Sequence, residues 1–257
     1  MGMRVRGFLR QCLLLGSLLW ACCPGAGAVE LTVWSAGAVK PAMEELVSGF
    51  QSATGHRLAV DYAPVGVLLR RLSAGGRPDV LLLSAEVVSE VERQNWVVPA
   101  SAVAVGSVGV GVAVKAGAAR PDISTPDALR QTLLAAKSIT YMDPQKGTSG
   151  KHFAGVLEQL GIAQQVQAKT TLGDVGFVVE PVARGDIEIG VQQITEILPV
   201  HGAVLVGPLP ASLQKITTYA VLLGAGAKDQ PAASEFIRYL QTPQAGGVFE
   251  RVGFKRP

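Results

Sequence analysis

Cysteine is almost missing from this chain. Its three copies, Cys12, Cys22 and Cys23, all fall at the very start. Beyond them no disulfide can form, so the rest must fold on its apolar core alone. A chain of more than 200 residues can bury enough surface to do so. Aromatic residues are scarce, and Lys and Arg form no stripe, so nothing argues for a nucleic-acid partner. The few histidines, His56, His152 and His201, lie far apart in no ligand pattern. No metal and no cofactor are therefore expected. Low-complexity linkers and fixed-period repeats are also absent. The longest apolar run, Cys12–Cys23, is shorter than the roughly 20 residues of a membrane span.

That run has a purpose of its own. Arg4, Arg6 and Arg10 precede it, and the A-x-A pattern of Ala26-Gly27-Ala28 follows it. This order predicts a secretory signal over residues 1–28, cut after Ala28, and an exported chain. The alternative is a lipid anchor at Cys22, which Leu19-Trp20-Ala21 matches less well because Trp20 is bulky. The leader holds three of the 23 basic residues and none of the 20 acidic ones. The chain after Ala28 is thus balanced in charge, and its expected state is a monomer.

After the leader, short apolar runs alternate with helical spacing. That pattern predicts an α/β fold with βαβ units and a largely parallel sheet. Leu31–Trp34, Arg57–Tyr62 and Asp79–Leu83 read as strands. Met43, Leu46, Val47 and Phe50 mark the apolar face of a helix from Lys40. Val67–Leu72 reads as a short helix, and Ser84 as the cap of another that carries Val87, Val88 and Val91. Ala102–Val114 is long and punctuated by glycine, as expected of a strand that leaves one sheet for another. Further strands are read at Ile139–Tyr141, Glu188–Val191 and Ile216–Leu223, and a last helix at Ala232–Leu240. Two α/β units joined by two long strands would enclose a ligand cleft.

The stretch DPQKGTSGKHFAGVLEQLG, from Asp143 to Gly161, joins a glycine-rich turn to an amphipathic helix. It fails as a phosphate loop, since Gln145 takes the place of the first glycine and His152 follows Lys151. It fails as a nucleophile elbow, since Gly150 follows Ser149 directly. An anion cradle is left: free N–H groups at a helix start, with Gly150 allowing close approach and Ser149 able to cap the helix or bond a ligand. Ser35-Ala36-Gly37-Ala38 and Ala63-Pro64-Val65-Gly66 open two other helices in the same way. Helix starts converging on one cleft would hold an anion without a formal counter-charge.

Taken in order, LTVWSAGAVKPAMEELVSGFQSATG, RPDVLLLSAE, YMDPQKGTSGKHFAGVLEQLGI, GDIEIGVQQITEI and GPLPASLQ resemble the molybdate-type periplasmic binding proteins of ABC importers. The resemblance runs through nearly all of the chain after the leader. It implies a two-domain hinged fold, with one domain from 29–108 and 220–257 and the other from 109–219. It also implies a small anionic ligand, a membrane permease as partner, and no catalysis. By register the ligand positions fall on Ala38, Gly66, Ser149, Val175 and Gln193, with Ser35 and Gly150 beside them. Here Ala38 and Gly66 replace hydroxyl ligands, and Gln193 replaces a tyrosine, although an amide can both donate and accept. A molybdate- or tungstate-like oxyanion is one expectation, and a small carboxylate is the alternative. Lys40, Arg70, Lys146 and Lys151 lie near these loops. Trp34 is expected in the core, and Glu196 in a structural role at a helix start. A secreted serine hydrolase using Ser149 or Ser35 is the rival of another class. It needs a base and an orienting acid that the sequence does not display.

Overall fold

A computed structural model describes residues 27–256. The expected leader up to residue 26, with Cys22, lies outside the described residues. The first half of the chain runs β1 (Glu30–Ala36), α1 (Lys40–Thr54), β2 (Arg57–Ala63), α2 (Val65–Ser73), β3 (Val80–Ser84), α3 (Val88–Arg93) and β4 (Val103–Lys115). Then come α4 (Pro126–Ala135), β5 (Ile139–Met142), α5 (Thr148–Gln159), α6 (Ala163–Gln167) and β6 (Thr170–Gly173). Next are α7 (Glu180–Arg184), β7 (Ile189–Gln193), α8 (Ile194–Ile197) and β8 (Ala203–Pro208). The chain closes with β9 (Ile216–Leu223), α9 (Gln230–Tyr239) and α10 (Pro243–Arg251).

Local chemistry accounts for the main boundaries. In α1, Met43, Leu46 and Phe50 are buried on one face, and Gly55 ends the helix in the left-handed region at φ 78°. Thr125 opens α4 by accepting the Ala128 N–H at 3.1 Å. The helix after Asp143 begins at Thr148, with Gly147 as its cap residue, so Ser149 sits inside the first turn and does not cap it. Ser84 does not cap either: its hydroxyl has no partner, and a short 3-10 turn over Ala85–Val87 leads into α3.

The strands run in the order β2-β1-β3-β9-β4-β7-β5-β6, with β8 also on β4. The sheet is mixed. β1 pairs in parallel with β2 and β3, and β5 with β6 and β7. The long strands come back across the molecule, so β3–β9, β4–β9, β4–β7 and β4–β8 are antiparallel. The expected change of sheet occurs within β4, which pairs with β9 up to Gly109 and with β7 from Val110. Two large apolar clusters follow from that change. One joins Leu31–Val108 to Tyr219–Phe254, and the other lies between Val110 and Leu213.

Candidate functional site

Three of the small-residue loops end in the same place. Ala36–Ala38 follows β1, Ala63–Val65 follows β2, and Gly147–Ser149 opens α5; all of them line one cavity of about 260 Å3. Tyr62, Met142, Val175–Phe177, Glu196, Tyr219 and Lys40 complete its wall. The glycines of the α5 turn allow the close approach. A Cβ on Gly150 would run into the Met142 carbonyl oxygen, and one on Gly147 into the Met142 side chain. The turn therefore lies directly on the end of β5.

Of the residues singled out by sequence, Ala38, Ser149 and Val175 line the cavity. Val175 is 62 % exposed at its mouth. The others are placed differently. The Gly66 N–H donates to the Lys146 carbonyl at 2.8 Å, where the two cores meet, and so is already engaged. The Ser35 hydroxyl is fully buried and donates to the Ala36 carbonyl. Gly150 serves packing. Gln193 lies beneath the cavity, 1 % exposed. Its Nε2 lies 3.4 Å from each of the hydroxyls of Thr148, Thr217 and Tyr219 and can donate to two of them, and its Oε1 has no partner.

Two polar side chains at the cavity, Tyr219 and Glu196, have places there that the sequence does not show. Tyr219 brings a hydroxyl from β9, 3.3 Å from the Thr148 hydroxyl, so a tyrosine does reach the site by another strand. Its ring is buried against Phe254, and burial, then the nearby Glu196 charge, raise its pKa. Thr217 and Tyr219 share a face of β9, two residues apart, at the start of a strand that turns wholly apolar after Tyr219. Polar residues at that spacing are the signal that could have flagged them. Glu196, expected only in a structural role at a helix start, also lines the cavity. It is 7 % exposed, and burial pushes its pKa up to about 8, while the Gln192 side chain and the Gln193 backbone pull it down. An added Cβ on Gly37 would lie 2.8 Å from Glu196 Oε1, so the carboxylate rests against the loop after β1.

The cations divide. Lys40 lines the cavity, its Nζ 5.1 Å from the Phe177 ring centre and 5.8 Å from that of Tyr62. Burial, then the Glu44 charge, push the Tyr62 pKa up to about 12. Lys146 pairs with Asp174, and Arg70 donates to the Gln145 carbonyl at 3.3 Å. Trp34 packs under Gly76 and Arg71, away from the cavity. His152 hydrogen-bonds the Leu213 carbonyl at 2.7 Å, so the structure sets no histidine against Ser149 or Ser35 among the described residues. No group of three potential metal ligands occurs among the described residues.

Residues 31–255 match the family of bacterial extracellular solute-binding proteins. The chain belongs to this family. Such proteins are extracytoplasmic partners of ABC importers, with a small ligand and a membrane permease as their general counterparts. Among the described residues no helix is long and apolar enough to cross a membrane. This solute-binding protein is 31 % identical over 252 residues to the aconitate isomerase of a Pseudomonas species, covering 95 % of each chain. It is 26 % identical over 253 residues to the molybdate-binding protein ModA of Azotobacter vinelandii, covering 95 % of this chain and 96 % of that one. The solved periplasmic molybdate-binding protein of that organism superposes with a TM-score of 0.75 at 17 % identity, over 88 % of this chain and 99 % of its own. A periplasmic thiamin binding protein superposes with a TM-score of 0.71 at 13 % identity, over 88 % of this chain and 83 % of its own. The fold is thus the two-domain fold of periplasmic binding proteins.

Proposed function

We propose that this solute-binding protein holds a small organic polycarboxylate in the cavity and presents it, closed, to the permease of an ABC importer. The size and lining of the cavity carry the reading. A tetrahedral oxyanion fills about as much space as two or three waters, at ~30 Å3 each. The cavity, at about 260 Å3, is several times larger and close to the small-molecule range, which begins near ~300 Å3. Its walls are rich in carbon: the side chains of Pro64, Val65, Met142 and Phe177 offer an oxyanion no hydrogen bond. A carbon skeleton would cover them while its carboxylates reach Lys40, Thr148, Ser149 and Tyr219. Ala38 brings no hydroxyl, and the Gly66 N–H is spent. The relative named as an aconitate isomerase puts aconitate, an unsaturated tricarboxylate, first among the probes.

The division into 29–108 with 220–257 against 109–219 is proposed as the moving pair, closing over the ligand. The test is calorimetric titration of the purified exported protein with cis- and trans-aconitate, citrate, malate, glutaconate, molybdate, tungstate and sulfate. Thermal melts run alongside. Ligand at a hundred times Kd adds about 2.7 kcal/mol, which at ~2–4 °C per kcal/mol raises Tm by several degrees. Selective response to a polycarboxylate is the expected result. Response to molybdate and tungstate alone would overturn the reading in favour of the oxyanion.

A further inference from the structure

We propose that Glu196 is a proton-transfer base acting on a bound unsaturated polycarboxylate, so that this solute-binding protein also shifts a carbon–carbon double bond in its ligand. The inference rests on the occupant proposed above. The placement of Glu196 carries it. The side chain lines the cavity and is almost wholly buried. Among the described residues no Lys, Arg or His pairs with it. It comes from α8 and reaches across to the backbone of Gly37, after β1, so a ligand held between the two cores lies beside it.

A site that only captured anions would keep this carboxyl protonated, whereas proton transfer uses both of its forms. Its charged form repels the ligand, and its burial costs stability. A carboxylate that is desolvated and has no cationic partner is a stronger base than an exposed one, and proton transfer between carbon and oxygen needs such a base. With its pKa near 8, Glu196 is ionised in about a tenth of molecules at pH 7.

The step needs no further reactant. A Glu196 carboxylate oxygen takes a proton from the ligand CH2 that lies between a double bond and a carboxylate. The C–H electron pair enters the allylic system, and its charge spreads onto the ligand carboxylate. The hydroxyls of Thr148, Ser149 and Tyr219 and the Lys40 ammonium line the same space and can hold that charge. The double bond re-forms one carbon along. The Glu196 carboxyl then returns the proton to the far carbon of the three-carbon unit. Ligand and product are isomers, and Glu196 ends as it began.

The experiment is proton NMR in D2O of the full exported protein with the unsaturated tricarboxylate of the panel, with titration of the same ligand in parallel. The expected result is deuterium entering the allylic positions and the isomer appearing. Glu196→Gln should keep binding at pH 7 within about tenfold and slow exchange at least ~100-fold, the usual worth of a general base. In the wild type, exchange per bound ligand should rise with pH towards about 8. That rise should be missing from Glu196→Gln, and a structural role alone would not remove it. Glu196→Asp, which keeps the charge and withdraws it by one carbon, should bind and exchange slowly. It keeps the test decisive if the amide variant fails to fold. Binding without exchange overturns this inference and leaves the proposed function standing. No binding of any polycarboxylate overturns both. Exchange undiminished in both Glu196 variants overturns the assignment to this residue.

Discussion

Gly150 has no room for a methyl group, because a Cβ there would overlap the Met142 carbonyl oxygen. Gly150→Ala forces that backbone apart, an overpacking that costs about 1–3 kcal/mol. A Tm lower by several degrees in a calorimetric melt is the expected outcome. Tyr219→Phe keeps the packing against Phe254 and removes one hydroxyl from the cavity. Loss of a hydrogen bond to a charged ligand, ~1.5–3 kcal/mol, should weaken titrated affinity tenfold or more with little change in Tm. Glu196 sets two pH dependences. Its pKa rises from 4.5 to about 8 on folding, so the folded state holds the extra proton between those values. Stability from this group is intact below pH 4.5 and is lost as pH rises to about 8. Glu196→Gln should therefore melt higher than wild type at pH 8, with the gap closing towards pH 5. Anion affinity should likewise fall as pH passes about 8, where the carboxyl becomes charged. At this scale the sequence was readable where the signal is local. Ala38 and Ser149 lie at helix starts marked by glycine and small side chains, and both line the cavity. Tyr219 and Glu196 reach the cavity from β9 and α8, and only the folded topology brings them there.

Elements were readable where burial is periodic or complete. β3 is buried at every residue, and α1 buries one clean face, so both stand out in the chain. β6 and β8 do not. β6 has no buried residue, and β8 is half-buried along its length until its exposed end, so neither has an alternation to read. The direction of the sheet depends on which strands return beside which, and that is a property of pairing over long distances. Asp79 shows how such pairing is held. Its carboxylate accepts the Thr32 N–H and hydroxyl at 2.7 Å each and the Lys228 N–H at 2.7 Å. β1, β3 and the loop before α9 are thus tied at one buried point. Burial raises its pKa, but these hydrogen bonds outweigh burial and leave it lowered. The contribution is present above the ordinary carboxylate range and is lost as pH falls through the lowered value. Asp79→Asn turns an acceptor into a donor facing N–H groups. It should cost about 1–3 kcal/mol in chemical denaturation at pH 7.

Across the whole molecule the two cores touch through a few polar contacts. Gly66 meets Lys146, Arg70 meets Gln145, and Lys215 pairs with Glu86 at 2.8 Å. A Cβ on Gly66 would lie 2.8 Å from the Lys146 carbonyl oxygen and 3.1 Å from that of Gln145. Alanine is also the better helix former, so α2 itself gains. Gly66→Ala should therefore press the two cores apart at this contact and weaken titrated ligand binding about tenfold or more, while the better helix former offsets part of the loss in Tm. Small-angle scattering should show a larger radius with ligand than for wild type. The strand order has a consequence that precedes folding altogether. β9 lies between β3 and β4, yet it is the last strand to be made. A chain that has emerged only as far as Lys215 carries every strand of the second core and a gap in the middle of the first. The half that is begun first is thus finished last. Until its tail arrives, β3 and β4 stand as open edges ready to pair with a neighbouring chain. During export this protein is most exposed to aggregation in its final stretch.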